Sequence, residues 1–260
     1  TFSSGTTYND EFNGYFDELR FSDSARYTSG SSITVPTAPF VNDADTVLLA
    51  HMDGTDGSTD FRDDNGTGRS AVGISAYNDA QIDTAQSKFG GASLLLDGTG
   101  DWLRINKDAN LDLSGDFTVE CWFRSTNVSS NFKIFDWRGI EASSWGGEGL
   151  INLTDTILID HNSSNARVYL DGANRASGST GISSNVWYHI ALSRSSGSCY
   201  AYLNGSEIVS GYANTDDFSL DTNSQPIGAS VYQSGDQFFN GHIDEVRISS
   251  VARYTSGFIP

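Results

Sequence analysis

The amino-acid sequence predicts an all-β fold, a two-sheet antiparallel jelly-roll sandwich. Short segments that alternate between apolar and polar residues recur along the chain, separated by turn residues about every 8–12 positions. Ser, Thr, Asn, Asp and Gly dominate the intervals between these segments. No window shows the apolar period of about 3.6 residues that marks an amphipathic helix.

Segment 117–124 shows the strand pattern most clearly. Four of its apolar residues stand at alternate positions and therefore share one face: Phe117, Val119, Cys121 and Phe123. Segments 187–194 and 198–205 are predicted to form a hairpin. The other predicted strands are 46–52, 92–97, 101–105, 133–137, 149–153, 156–160, 166–171 and 243–248.

The charge balance excludes some partners. The chain of 260 residues carries 33 acidic and 15 basic residues, a formal net charge of -18. Nucleic acid is therefore not expected as a partner, because its phosphates would be repelled. The same excess favours solubility and divalent cations. Since no run of about 18 apolar residues occurs, no membrane insertion is expected either.

Two cysteines, Cys121 and Cys199, fall at inward positions of predicted strands. A sandwich of this size does not need a disulfide to fold, and buried cysteines commonly behave as small apolar residues. We expect two buried free thiols rather than a bridge.

A terminal segment occurs twice. The stretch from Asn13 to Gly30 recurs from Asn240 to Gly257 without a gap, and both copies contain Asn-Gly, Asp-Glu and Ala-Arg-Tyr-Thr-Ser-Gly. No other part of the chain is repeated. The repeat predicts that residues 1–30 are the last strands of a preceding module, that 31–42 are a linker, and that 43–260 form one complete module.

The first copy poses a physical problem, because a single half-buried strand cannot bury its apolar face or pair both its edges. Residues 15–21 alternate in this way. We therefore expect the strand to pair within an upstream module or with a neighbouring subunit, and further copies of the same chain to be partners.

Several motifs carry a family resemblance. They are Leu48-Leu-Ala-His-Met-Asp-Gly, Ser87-Lys-Phe-Gly-Gly, Asp97-Gly-Thr-Gly-Asp-Trp-Leu, Gly115-Asp-Phe-Thr-Val-Glu-Cys-Trp-Phe, Trp187-Tyr-His-Ile-Ala-Leu, Tyr202-Leu-Asn-Gly and Asn240-Gly-His-Ile-Asp-Glu-Val-Arg-Ile. In order and spacing, over residues 45–257, they resemble the laminin-G-like jelly rolls of the concanavalin A-like superfamily. The Ala252-Arg-Tyr-Thr-Ser-Gly tail is similar to a variant of phage and environmental bacterial surface proteins.

The resemblance implies a structural calcium ion. Carried across by motif, its ligands would be the Asp53 carboxylate, the Gly98 carbonyl and the Asp244 carboxylate. Calcium takes six to eight oxygen ligands, and such an ion would join the two ends of the module. The alternative is that Asp53 begins a turn and that Asp244 pairs with an arginine such as Arg104.

Glycan binding needs an exposed aromatic ring beside amide and carboxylate groups. Candidate ligand-binding residues are therefore sought in loops rather than in regular strands: Trp137, Trp145, Asp160, His161 and Tyr232. Packing between modules is an equal alternative for the two tryptophans, and Trp102, Trp122 and Trp187 are assigned to the core or to sheet faces.

Catalysis is not expected. Hydrolases of this fold carry paired carboxylates on one strand, but Glu120 has no carboxylate two residues away and no Glu-x-Asp-x-Glu run exists. The favoured function is a non-catalytic structural or adhesive module of an extracellular or virion surface assembly, such as a fibre, appendage or decoration protein. The alternative is a lectin domain that recognises host or cell-surface glycans, and a divergent hydrolase or lyase ranks third.

Overall fold

A computed structural model describes the chain over most of its length: residues 12–27, 37–64, 66, 69–129, 131–136, 157–218, 225–230 and 237–254. Within these ranges every regular element is a β-strand. The strands are β1 Phe12–Tyr27, β2 Thr46–Ala50, β3 Ile74–Tyr77, β4 Gln81–Asp83, β5 Ser93–Asp97, β6 Trp102–Ile105, β7 Phe117–Ser125, β8 Phe132–Asp136, β9 Ile157–Asn162, β10 Asn165–Leu170, β11 Ala173–Asn174, β12 Tyr188–Ser195, β13 Ser198–Leu203, β14 Ser206–Ala213, β15 Gln225–Ile227 and β16 Asn240–Tyr254.

These strands form two sheets. Sheet A has the order β14-β13-β12-β7-β1-β2-β16-β5-β4, and β7 and β1 each also pair with β16. Sheet B has the order β11-β10-β9-β8-β15-β6-β3. Every pairing is antiparallel except that of β1 with β16, which is parallel. The predicted all-β jelly-roll sandwich is confirmed.

The main core lies between the two sheets. The inward face predicted for β7 is confirmed, since Phe117, Val119, Cys121 and Phe123 are all fully buried in this core. The alternate residues of β7 are also buried, including Glu120 at 0% exposure. Sheet A is therefore covered on its outer face too, which the alternating sequence pattern did not predict.

Most of the predicted strands are present with shifts of one or two residues at their ends. The predicted hairpin is confirmed, because β12 and β13 pair antiparallel from Ile190 opposite Leu203 to Ser195 opposite Ser198. The strands β3, β4, β11, β14 and β15 were not predicted, and four of these five are short. Predicted strand 149–153 lies outside the described residues.

Both cysteines are free and buried, as predicted. Burial raises the pKa of Cys199 to about 12 and the pKa of Cys121 well above its ordinary value. Thiolate is the reactive form, so neither side chain is poised for reaction with oxidants or metals.

Residues on both sides of the predicted module boundary belong to sheet A. β1 pairs with β2, β7 and β16. Within the predicted linker, Phe40 is only 5% exposed, and the Arg247 guanidinium lies 3.9 Å from the centre of its ring. In the described part of the chain, no helix has the length and apolar character needed to cross a membrane.

Candidate functional site

The Asp53 carboxylate, predicted as a metal ligand, follows β2 and lies against the turn that precedes β5. Gly90 in this turn has φ +62°, and a Cβ there would collide with the Asp53 carboxylate. Any other residue would be strained at this φ, and its Cβ would clash with the carboxylate, so position 90 favours glycine. Partial burial raises the pKa of Asp53 above its ordinary value, and nearby His51 opposes this shift.

The Asp244 carboxylate contacts the same turn. It is fully buried, and its Oδ2 atom accepts hydrogen bonds from the backbone N–H groups of Lys88 and Phe89, the latter at 2.8 Å. Its Oδ1 atom has no hydrogen-bond partner in the described structure. Burial raises the pKa of Asp244 well above its ordinary value, although the two backbone bonds oppose the shift.

The third predicted ligand, Gly98, lies elsewhere. It follows β5, whereas the turn contacted by Asp53 and Asp244 precedes β5. A strand of five residues spans about 16 Å, far more than the separation of two oxygens on one calcium ion. The structure thus brings Asp53 and Asp244 to one turn and leaves Gly98 at the far end of the strand.

Other groups fail to complete a metal site. Among the described residues no three His, Cys, Asp or Glu side chains converge on one point. Arg104, the alternative partner for Asp244, lies in β6 of the other sheet. An ion at the Asp53–Asp244 turn would therefore need backbone carbonyl or water oxygens in addition to the two carboxylates.

The predicted ligand-binding residues fall into two groups. Trp137, Trp145 and Tyr232 lie outside the described residues. Asp160 and His161 are adjacent on β9 and point to opposite faces of sheet B.

Asp160 is fully buried and paired with two cations. Lys133 Nζ lies 2.6 Å from Asp160 Oδ2, and Arg167 donates to both carboxylate oxygens at 2.7 and 2.8 Å. This bidentate geometry fixes the carboxylate within the sheet face.

His161 points into the core. Its ring lies 4.8 Å from the ring of Phe132 and 6.4 Å from that of Phe239, centre to centre. Burial lowers the pKa of His161 to about 3, so the ring is neutral at physiological pH. The ring lies inside the sandwich, away from any ligand on its surface.

Glu120, considered above as a possible strand carboxylate of a hydrolase, is engaged in a buried network. Arg247 Nε donates to Glu120 Oε1 at 2.5 Å, and His189 Nε2 lies 3.2 Å from Glu120 Oε2. All three side chains are at most 9% exposed. A carboxylate held in this way is not available to a substrate.

The acidic loop after Asp53 contains one buried carboxylate, that of Asp63. It accepts hydrogen bonds from the backbone N–H groups of Leu49 and Val72 at 2.9 and 2.8 Å, and both guanidinium Nη atoms of Arg69 donate to it. Asp60 and Asp64 are exposed, as a solvated loop predicts.

An aromatic group that sequence reasoning missed lies at the β3 edge of sheet B. The rings of Tyr77 and Trp102 stack with their centres 4.0 Å apart and their planes 12° from parallel. Together with Ala229 and Phe238 they form a cluster separate from the main core. Tyr77 and Phe238 are partly exposed, whereas Trp102 is buried beneath them. We call Tyr77, Trp102 and Phe238 the aromatic patch.

A polar cleft is lined by the chain neighbours of two residues of the aromatic patch: Asn78 follows Tyr77, and Asp101 precedes Trp102. It encloses about 420 Å³ and is lined by Gly57, Thr59, Asn78, Asp79, Gln81, Leu95, Asp97 and Asp101. We call it the acidic cleft. Its carboxylate and amide groups include those of the residues that adjoin Tyr77 and Trp102 in the chain, and such polar groups near an aromatic ring are the combination that sugar recognition requires.

Asp101 organises the acidic cleft. Its carboxylate accepts hydrogen bonds from the backbone N–H groups of Asp79 at 2.8 Å and Asp97 at 3.1 Å, and so joins the two loops of the cleft. Burial raises the pKa of Asp101 to about 6, and the neighbouring Asp97 carboxylate adds to the shift.

The fold and motifs agree with a known family. The laminin G family model of the concanavalin A-like lectin/glucanases superfamily matches residues 97–256, more than half of the chain. The chain therefore belongs to this family. None of the curated proteins matches it.

Several solved structures are similar in fold. Domain 4 of the extracellular arabinanase AbnA from Geobacillus stearothermophilus, in complex with arabinotriose, is 17% identical, with 68% of this chain and 81% of that chain covered and a TM-score of 0.43. The binding domain of botulinum neurotoxin serotype D is 13% identical over 66% of this chain and 41% of that chain, with a TM-score of 0.47. An alginate lyase of polysaccharide lyase family 7 is 15% identical over 78% of this chain and 86% of that chain, with a TM-score of 0.35. At these TM-scores the likenesses do not bear on the ligand of this chain.

Proposed function

We propose that the chain is a non-catalytic adhesive module that binds carbohydrate through the aromatic patch and the acidic cleft. The observation that carries the proposal is the partly exposed Tyr77 ring stacked on Trp102 beside the cleft that Asp101 organises. A rigid stacked ring offers a flat apolar surface to a sugar ring, and the neighbouring amide and carboxylate groups can bond its hydroxyls.

The charge of the cleft narrows the class of sugar. Asp79, Asp97 and Asp101 all line it, and no basic side chain is among the lining residues. Carboxylates accept hydrogen bonds from sugar hydroxyls but repel sugar carboxylates. The proposed ligands are therefore neutral glycans rather than uronic or sialic acids. Display of such glycans on cells fits the proposed place of the module on an extracellular or virion surface.

Absence of catalysis is part of the proposal. It is supported by the engagement of Glu120 with Arg247 and His189, and by the pairing of Asp160 with Lys133 and Arg167. Each of these buried carboxylates is held by two basic partners, so neither can act as the general acid or the nucleophile of a glycosidase.

A glycan array tests the carbohydrate proposal. The wild-type chain should bind neutral glycans, and Tyr77→Ala should weaken that binding roughly 10-fold, because an aromatic contact contributes up to about 1.5 kcal/mol. Tyr200→Ala is the matched control, since Tyr200 is also partly exposed but packs against Ala191 and Tyr202 of sheet A. This control should bind as the wild type does.

Three results would contradict the proposal. The absence of any bound sugar would remove the lectin function. Loss of binding in Trp145→Ala with unchanged binding in Tyr77→Ala would move the site to the loop predicted from sequence. Release of sugar product from a bound glycan would overturn the non-catalytic assignment.

We propose a second function, as a structural unit of an assembly of like modules. The observation that favours it is the first copy of the terminal segment, which enters sheet A as β1 although β16 already supplies the same sequence pattern. In such an assembly the partners are further copies of the chain, as in a fibre, appendage or decoration protein.

A further inference from the structure

The two copies of the terminal strand pair with the same residues of sheet A. β1 places Gly14, Tyr15, Phe16 and Asp17 opposite residues 125, 124, 123 and 122 of β7. β16 places Gly241, His242, Ile243 and Asp244 opposite the same four residues. We propose that β1 and β16 are alternative occupants of one place in sheet A, and that β1 can fill this place in a second copy of the chain.

The registers agree beyond β7. Ala50 of β2 is opposite Leu19 of β1 and also opposite Val246 of β16. In each of these cases the residue of β1 and the residue of β16 that face the same partner are 227 positions apart in the sequence, as Asn13 and Asn240 are. The sheet therefore pairs with both copies in the register that the sequence repeat defines.

The place holds one strand at a time in a regular sheet. β12 already pairs with one edge of β7, with Tyr188 opposite Phe123 and His189 opposite Trp122. One edge of β7 remains, and each backbone N–H or C=O group on that edge can serve one regular neighbour. When β16 is fully paired with residues 122–125 of β7, β1 cannot pair there. When β1 is fully paired with these residues, β16 cannot.

A second copy of this chain is the occupant that fits. Both terminal segments place a glycine opposite Ser125 and an apolar residue opposite Phe123, and they share the pattern Asn-Gly-x-apolar-Asp-Glu-apolar-Arg. A one-residue slip would turn every apolar side chain to the wrong face, so only a segment with this pattern can enter. A displaced copy has unpaired backbone groups and gains by pairing in another molecule.

This inference rests on the second proposed function, the assembly of like modules, and is independent of sugar binding. It is tested by mixing two full-length variants that each carry one added cysteine, Tyr15→Cys and Arg124→Cys, under mild oxidation. Residues 15 and 124 are opposite each other in the β1–β7 register. We expect a disulfide-linked heterodimer whose yield rises with protein concentration. The native thiols are buried and should not contribute.

Two control experiments use His242, the residue of β16 that faces Arg124 as Tyr15 of β1 does. The double variant His242→Cys/Arg124→Cys should form a disulfide within one chain, because the two residues are directly opposite each other in the antiparallel β16–β7 pair. Its success shows that the variants fold and that the geometry permits the bond. A mixture of His242→Cys and Arg124→Cys should give less heterodimer than the Tyr15→Cys mixture.

The proposal is overturned if the Tyr15→Cys mixture gives no more heterodimer than the His242→Cys mixture at any concentration while the double variant closes normally. It is also overturned if a Tyr15→Cys/Arg124→Cys chain links only within itself. Failure of sugar binding on the array would leave this result unaffected, so the two proposals can fail separately.

Discussion

The outer faces of the two sheets each bury a carboxylate between two basic side chains, yet they differ in how fully their buried carboxyl oxygens are hydrogen-bonded. On sheet B, both oxygens of Asp160 are bonded by Lys133 and Arg167. On sheet A, Glu120 is bonded in the same manner by Arg247 and His189.

Sheet A buries two further carboxylates nearby. Asp244 and Glu245 are adjacent on β16 and fully buried. Each has one oxygen with no hydrogen-bond partner in the described structure, Asp244 Oδ1 and Glu245 Oε1. His51 Nδ1 lies 3.7 Å from Glu245 Oε1, and the two side chains form an ion pair only when this histidine is protonated.

This difference in the pairing of buried carboxylates, together with the exposure of each face, indicates which sheet is structural and which can bind a ligand. On sheet B the buried Asp160 carboxylate is paired with Lys133 and Arg167. At the β3 edge of this sheet, the aromatic patch is partly exposed to solvent. On sheet A the face is closed by the chain itself, with Phe40 against Arg247, and it buries two carboxyl oxygens that have no hydrogen-bond partner in the described structure. We infer that sheet A is the structural face and that the edge of sheet B is the binding face.

The largest expected effect comes from breaking the network on sheet A. Glu120→Ala should lower the free energy of unfolding by about 3–5 kcal/mol, because it leaves the Arg247 charge buried without its partner. Glu120→Gln should cost less, since its amide oxygen still accepts one hydrogen bond from Arg247. Urea unfolding of both variants measures the difference, and a loss below about 1 kcal/mol for Glu120→Ala would show that the network is not structural.

We propose that a structural calcium ion binds at the Asp53–Asp244 turn, where the buried Asp244 Oδ1 atom has no hydrogen-bond partner in the described structure. A calcium concentration of a hundred times Kd should stabilise the fold by about 2.7 kcal/mol relative to EDTA. Asp244→Asn should abolish this gain, whereas Asp108→Asn in an exposed turn should keep it. Thermal unfolding with calcium and with EDTA measures the effect. Equal midpoints for the wild-type chain would remove the ion from the account.

The smallest effect concerns pH at the acidic cleft. The pKa of Asp101 is raised to about 6, so the folded state holds a proton that the unfolded state releases above its ordinary pKa near 3.8. This contribution to stability is fully present below about pH 3.8 and is lost as the pH rises through about 6. Asp101→Asn lacks it, so the wild-type chain should exceed this variant in Tm by more at pH 4 than at pH 7. Equal differences at the two pH values would contradict the raised pKa.

The sequence predicted the architecture because local patterns encode it. Alternating residues in β7, the β12–β13 hairpin and the family motifs all depend on residues that are near one another in the chain. The burial of Glu120 was not predictable in this way, since alternation indicates a half-buried strand and the cover over its outer face comes from distant segments such as Phe40.

The candidate site was predicted less well for the same reason. Trp102 was assigned to the core or to a sheet face because it lies in a regular strand, and Tyr77 lies in a four-residue strand that was not predicted. Only the pairing of β3 with β6 places the two rings together, with Tyr77 opposite Trp102. Likewise, the convergence of Asp53 and Asp244 on one turn was implied by motif, whereas the separation of Gly98 along β5 required the register.

Chemical-shift mapping of the uniformly ¹⁵N-labelled chain with a glycan that it binds on the array tests the central claim most directly. The account predicts that the largest amide shifts fall at the aromatic patch and acidic cleft, at residues 77–79, 101–102 and 238. Residues 118–122 of β7 on sheet A should change little. Shifts centred on sheet A, with the edge of sheet B unaffected, would contradict the assignment of the binding face.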